Sequence, residues 1–234
     1  MRKIEQHTEA ELEIGGAIAQ AGTTSGRLPR STACGKRWQP KEQLMALTLK
    51  PPKPLTDDEL LEFSRRNPGF QFERSATGEL VVTPTGSDAG RRNAQLAYQL
   101  EAWNRSHSPS LGVVFDSSTG FRMPDGALLS PDASWVRRDR WEGLAPAERE
   151  GFAPLCPDVV FEIASTSNTR PELQAKMRAY ISNGAQVAVL IDPQGRGVEI
   201  YRLGRTVEVD QHSDTISLDP PLTGFALTLV PLME

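Results

Sequence analysis

The chain has 234 residues, of which 38% are hydrophobic and 24% charged, and its formal net charge is −4. That length and balance suit one globular domain with a sizeable core and an appendage, and they exclude a disordered or fibrous chain. The longest purely apolar stretch, Val187-Ala188-Val189-Leu190-Ile191, falls far short of the ~20 residues that crossing a bilayer requires.

Residues 1–44 carry few groups that could build a core, Gly22-Thr23-Thr24-Ser25-Gly26 being typical, and are expected to form a flexible extension. Met45 stands directly before the first organised stretch, so this prefix also fits a mis-assigned start. Its acidic residues and its brief, glycine-rich apolar run at 14–21 do not make a secretory signal, and a cytoplasmic protein without membrane contact is expected. Residues 45–234 are then a single domain.

Thr56, with Glu59 three residues on, makes a capping box for a helix reaching about Arg66, whose apolar face is Leu60, Leu61 and Phe63. Asn67-Pro68-Gly69 stops it, and 70–74 with 79–83 read as a β-hairpin. A loop is expected over 84–90, followed by an amphipathic helix over 91–106, where Leu96, Leu100 and Trp103 recur on one side. Strands are expected at 111–115, 120–123, 127–129, 133–136 and 159–164, with Pro124-Asp125-Gly126 as a turn. The stretch 140–152 is proline-interrupted and charged, and reads as a surface excursion with short helical turns at most. Pro171 opens a further helix with Leu173, Met177, Tyr180 and Ile181 as its stripe, ended by Asn183-Gly184. The run 187–191 reads as a buried strand, and 197–202 with 206–209 as a hairpin. A helix between the strand of Glu162 and that of Val187 implies that the two are parallel neighbours in a mixed sheet.

Glu162 stands out among the acids because Val159, Val160, Phe161 and Ile163 surround it, and a buried carboxylate must be paired, metal-bound or protonated. Asp132 opens an apolar strand, where a charge needs a reason to be. Two such carboxylates suit a hard divalent cation, which shares one or two of them with waters and a phosphate. A lysine nearby would orient the attacking water and offset developing charge. Lys176 borders the helical stripe and is the candidate, although by position alone it reads as a solvated helix lysine. Asp125 reads as turn chemistry, and Asp158 as a supporting group or strand-start cap. Cys34 and Cys156 lack a metal-binding spacing and are expected to be free thiols, and His7, His107 and His212 are scattered surface residues. The tryptophans Trp103, Trp135 and Trp141 read as packing. The acidic net charge speaks against nucleic acid, unless Arg65-Arg66, Arg91-Arg92 and Arg137-Arg138-Asp139-Arg140 gather into a basic stripe.

Several linked segments carry a resemblance: Gly78-Glu79-Leu80 before Pro84-Thr85-Gly86; Gly90-Arg91-Arg92-Asn93; the run from Ser118 through Gly126 into Ser130-Pro131-Asp132-Ala133; Cys156 through Glu162; Leu173-Gln174-Ala175-Lys176-Met177 with Tyr180 and Asn183-Gly184; and Leu190-Ile191-Asp192-Pro193. Through these, the chain from about Leu55 to Leu229 resembles the bacterial Uma-two family, restriction-endonuclease-like proteins of the PD-(D/E)XK nuclease superfamily. The resemblance implies an α/β fold with a restriction endonuclease-like mixed β-sheet core (αβββαβ) flanked by helices, with an extra N-terminal helix and β-hairpins. It implies a Mg²⁺- or Mn²⁺-dependent endonuclease acting on DNA, with Asp132 and Glu162 as metal ligands, Lys176 as the catalytic amine and Glu79 as a further ligand. Ala164 occupies the superfamily's usual lysine position, Asn168 replaces a common aspartate and Thr166 a usual proline. Those departures keep a rival reading in view, a catalytically degenerate nuclease fold that binds nucleic acid or a protein partner. Cutting both strands takes two sites, so a homodimer is expected.

Overall fold

The computed structural model of the protein describes residues 45–234, so the extension expected at 1–44 and Cys34 lie outside the described residues. The first half runs β1 (Leu47–Leu49), α1 (Asp57–Arg66), β2 (Phe70–Arg74), β3 (Leu80–Pro84), α2 (Ser87–Arg105), β4 (Gly112–Asp116), β5 (Phe121–Arg122) and β6 (Leu128–Leu129). The middle runs β7 (Ala133–Arg137), α3 (Arg138–Glu142), α4 (Pro146–Glu150), β8 (Val159–Ile163), α5 (Arg170–Ser182) and β9 (Val187–Asp192). The chain closes with β10 (Gly197–Arg202), β11 (Glu208–Asp210), β12 (Thr215–Ser217), β13 (Ala226–Thr228) and α6 (Val230–Met233).

A mixed six-stranded sheet, in the order β11-β10-β9-β8-β7-β4, forms the centre. Its β8 and β9 run parallel, with Glu162 beside Leu190, and α5 is the crossover that parallel neighbours require. The other pairs in it are antiparallel. The succession α2, β4, β7, β8, α5, β9 is the expected αβββαβ core. Strand alternation divides β8 between two cores. Val159, Phe161 and Ile163 join Leu96 and Leu100 of α2, whereas Val160 joins Leu173, Met177 and Tyr180 of α5. Glu162 therefore faces α5.

A second sheet, β1-β3-β2-β6-β5, is wholly antiparallel. One face packs Phe72, Val82 and Leu128 against Leu60 and Phe63 of α1. Phe63 meets Phe72 edge-on with ring centroids 5.0 Å apart, and the Thr56–Glu59 capping box starts α1 as expected. Alternation turns Gln71 and Glu73 of β2 to the opposite face. The chain passes from this sheet into the larger one through Ser130-Pro131-Asp132, between β6 and β7. That crossing is fixed to β2 by the Gln71 amide, which donates to Ser130 O at 3.0 Å.

Several element boundaries depart from expectation. Helix α2 begins at Ser87 and takes up most of the expected loop, because Gly90 lies on its exposed side, where no side chain is needed. Strand β1 pairs with β3 although its three residues are too few to show a period. The β12–β13 ribbon is equally short, and contributes Ile216 and Leu227 to the core beside α2. The excursion after β7 holds two five-residue helices, α3 and α4, as read. Trp103 and Trp135 pack together at 5.9 Å.

Candidate active site

The register of the sheet brings Asp132 and Glu162 together. Ala133 pairs with Phe161 and Ser134 with Val160, so one step past the end of this ladder Asp132 stands opposite Glu162. Asp132 Oδ2 accepts the Ile163 N–H at 2.7 Å, which ties the carboxyl to the end of β8. Its Oδ1 accepts from the Asn93 amide of α2 at 2.8 Å.

Helix α5 supplies the cation. One turn separates Lys176 from Tyr180, so both reach the same glutamate. The Lys176 ammonium lies 2.7 Å from Glu162 Oε1, and the Tyr180 hydroxyl donates to that oxygen at 2.9 Å. A second carboxylate arrives from the other sheet, as Glu73 Oε1 lies 2.9 Å from Lys176 Nζ. Glu73 also accepts the Ser130 N–H at 2.6 Å, so it braces the crossing that leads to Asp132. Glu73, Asp132, Glu162 and Lys176 line a cleft of about 700 Å³ between the two sheets, with Asn93, Ser165 and Asn168 on its wall.

The electrostatics follow from three acids facing one ammonium. Burial pushes the Glu162 carboxyl up to about 8; Lys176 opposes the rise, while Asp132 and Glu73 add to it. Burial also raises Asp132, against the hydrogen bond from Ile163 and the charge of Lys176. For Lys176, burial disfavours the charged form, but Glu162 and Glu73 outweigh it and hold the ammonium above the ordinary lysine value. Burial, together with the Glu162 charge, holds the Tyr180 hydroxyl well above its usual range, so it remains a donor.

Of the residues expected at the site, Asp132, Glu162 and Lys176 are gathered in this cleft. Glu79 is not among them: it forms an ion pair with Lys50 at 2.9 Å and does not line the cleft. Residue 79 precedes β3 at the hairpin turn, whereas residue 73 lies within β2 on the inner face. Asp158 ties the end of β7 to the approach to β9, accepting from Arg137 N at 2.9 Å and Gln186 at 2.9 Å, with Arg140 at 3.0 Å. Asp125 accepts from Ala127 N across its turn at 2.9 Å. The basic clusters are largely engaged: Arg66 with Glu62, Arg91 and Arg92 with Asp88, Arg137 with Asp139 and Arg138 with Glu142. Cys156 is a buried thiol pushed up to about 12 by burial.

Glu73, Asn93 and Tyr180 complete the site although nothing in the local sequence pattern assigns them a role. Asn93 and Tyr180 stand in family-like segments, Tyr180 also within an apolar stripe, and Glu73 has the alternation of any half-exposed hairpin.

The donors suit a hard divalent cation. Among the described residues no three acidic, histidine or cysteine side chains are grouped to enclose an ion by themselves. Such an ion needs only one or two carboxylates, the remaining positions going to waters and substrate oxygens. The surplus of buried acid over ammonium and the buried, unpartnered Asn93 Oδ1 both favour a positive or proton-donating occupant.

Residues 57–230 match the model of the family described as "Uma2: Putative restriction endonuclease". No curated protein matches the chain. A solved structure from Anabaena variabilis, of "a putative nuclease belonging to DUF820", superposes with a TM-score of 0.60 at 20% identity, covering 77% of this chain and 98% of that chain. At that identity the likeness is one of fold.

Proposed function

The chain belongs to the Uma2 family, and from that membership and the cleft we propose a metal-dependent endonuclease that hydrolyses DNA phosphodiester bonds. Asp132 and Glu162 hold Mg²⁺ or Mn²⁺ in this reading, and Lys176 stands beside the attacking water. The observation that carries it is the convergence of both acids and the lysine on one cleft, the ammonium 2.7 Å from Glu162 and the two acids opposite each other in register.

The cation supplies charge stabilisation at a phosphoryl oxygen and a more acidic water. The chain's own groups do the positioning. Ile163 N–H and the Asn93 amide fix Asp132 at both oxygens, and the Tyr180 hydroxyl aims Glu162. Lys176 has two carboxylate partners, so committing Glu162 to a cation leaves the ammonium paired with Glu73. It can then face the water and the charge that builds on the phosphate. Cleavage of both strands brings two copies together, and sedimentation of the free protein checks this homodimer.

Purified protein is expected to nick supercoiled plasmid only with Mg²⁺ or Mn²⁺, and Asp132→Ala and Glu162→Ala to abolish nicking. Activity surviving both substitutions removes the mechanism. The engaged arginines weaken phosphate binding and so favour one rival, a catalytically degenerate nuclease fold that binds a protein partner without cutting. Metal titration separates the two, because a non-cleaving chain has no need of the cation.

A further inference from the structure

Asn93 lies three residues before Leu96 and seven before Leu100, on the core-facing side of α2 where the core gives way to the cleft. Its helix is held in place there. Arg91 donates to the carbonyl of Pro231 at 3.1 Å and Arg92 to that of Leu232 at 2.9 Å, so this turn is pinned to α6. From that position the Asn93 Nδ2 donates to Asp132 Oδ1 at 2.8 Å. The other end of the amide, Oδ1, is buried with no hydrogen-bond partner.

An amide could in principle be turned over, exchanging its oxygen and nitrogen. The Asp132 carboxyl accepts the Ile163 N–H through Oδ2 and presents Oδ1 to the amide as a second acceptor, so the exchange would set two acceptors against each other. Nδ2 is therefore committed to the carboxylate, and Oδ1 is left pointing at nothing the chain provides. Buried polar atoms are nearly always satisfied, and an exception calls for an occupant. An amide oxygen is an ordinary partner for a hard cation or for the waters that such a cation keeps. Mere packing would be met by leucine or methionine at this point of the stripe, without stranding an acceptor.

We propose that Asn93 is a positioning residue of the metal site: its Nδ2 orients Asp132, and its Oδ1 accepts a hydrogen bond from a water carried by the divalent cation. The inference rests on the function proposed above. It differs from a purely structural role in what it requires of metal affinity. Groups that orient a metal's ligands typically change affinity by about 10–100-fold when removed.

The test is calorimetric titration of MgCl₂ and MnCl₂ into the full chain and Asn93→Leu, with thermal melts of both in EDTA. The expected result is metal affinity weakened about 10–100-fold, with the metal-free melt lowered modestly, because losing the stranded acceptor offsets only part of the cost of leaving Asp132 Oδ1 without its donor. Asn93→Ser, which shortens the side chain without adding apolar bulk, gives the same loss of affinity and serves if the leucine variant does not fold. Affinity in either variant equal to that of the parent overturns the role of Asn93 and leaves the proposed metal site standing. A parent chain that takes up neither metal overturns both together.

Discussion

Two glutamates lie beneath α5, each 5% exposed, and each meets a cation from that helix and a tyrosine hydroxyl. Glu199 of β10 takes the Arg170 guanidinium at 2.9 and 2.5 Å, the Gln174 amide at 3.0 and 3.1 Å, and the Tyr201 hydroxyl. Burial pushes its carboxyl up, but these donors outweigh it and hold Glu199 below the usual value. Glu162 of β8 has Lys176 and Tyr180, yet shares the ammonium with Glu73 and faces Asp132, and it is pushed up to about 8. Equal surface exposure thus accompanies a brace in one place and, where the carboxylate is more deeply enclosed, a surplus of negative charge in the other. Burial of a carboxylate does not by itself mark a site; too few donors for the acids present does.

The largest expected effect separates the two by activity. Glu162→Ala or Asp132→Ala should lower plasmid nicking by at least ~10²–10³-fold, the scale of losing a charge-stabilising group, while Glu199→Gln leaves the rate near the parent's. A Glu199 variant as inactive as the Glu162 variant would erase the distinction. Next, Lys176→Met strips the cleft of its ammonium and leaves buried acids unpaired, so urea melts in EDTA should show a loss of about 3–5 kcal/mol. Added Mg²⁺ should recover part of that loss, which an ordinary core defect would not allow.

These groups were unequally legible in the sequence. Asp132 and Glu162 announce themselves as acids inside apolar runs. The register that sets them opposite each other follows from antiparallel pairing of β7 with β8, which local pattern alone does not determine. Lys176 stood out through its family-like segment, because its partners come from β2 and β8, far from its own turn. Glu73 was hidden for a physical reason: Phe70-Gln71-Phe72-Glu73 alternates as any exposed hairpin does, and its burial comes from residues 130–132 and from α5. The αβββαβ order was readable from strand and helix periods, whereas β1, β12 and β13 are too short to carry a period.

Smaller effects sharpen the comparison. Glu199→Ala should cost about 1–3 kcal/mol, since Tyr201 and Gln174 lose a buried acceptor. Glu162→Gln should leave metal-free stability unchanged or raised, because it relieves like-charge crowding while still accepting from Tyr180. The pH dependences should have opposite signs. Glu162 is raised from 4.5 to about 8, so the folded chain holds its proton more tightly. Its contribution is full below about 4.5 and is lost as pH rises through about 8, at up to about 1.4 kcal/mol per pH unit. Glu199 is lowered, so its contribution is present above the unfolded value and lost as pH falls. Denaturant melts across pH should therefore lose the decline between about pH 4.5 and 8 in Glu162→Gln, and the acid decline in Glu199→Gln. Saturating Mg²⁺ should flatten the decline up to about pH 8, because metal binding displaces the proton. The smallest effect is expected at Glu79→Gln, which should leave metal affinity untouched, as Glu79 pairs with Lys50 outside the cleft.

The most direct measurement is anomalous diffraction from crystals of the protein soaked in MnCl₂, with crystals of Glu199→Gln and Glu162→Gln soaked alongside. A manganese peak in contact with Asp132 and Glu162, kept in Glu199→Gln and lost in Glu162→Gln, is the predicted result. An empty cleft at saturating metal, or a peak held elsewhere and indifferent to Glu162, would contradict the claim that the surplus of acid over ammonium exists to hold a cation.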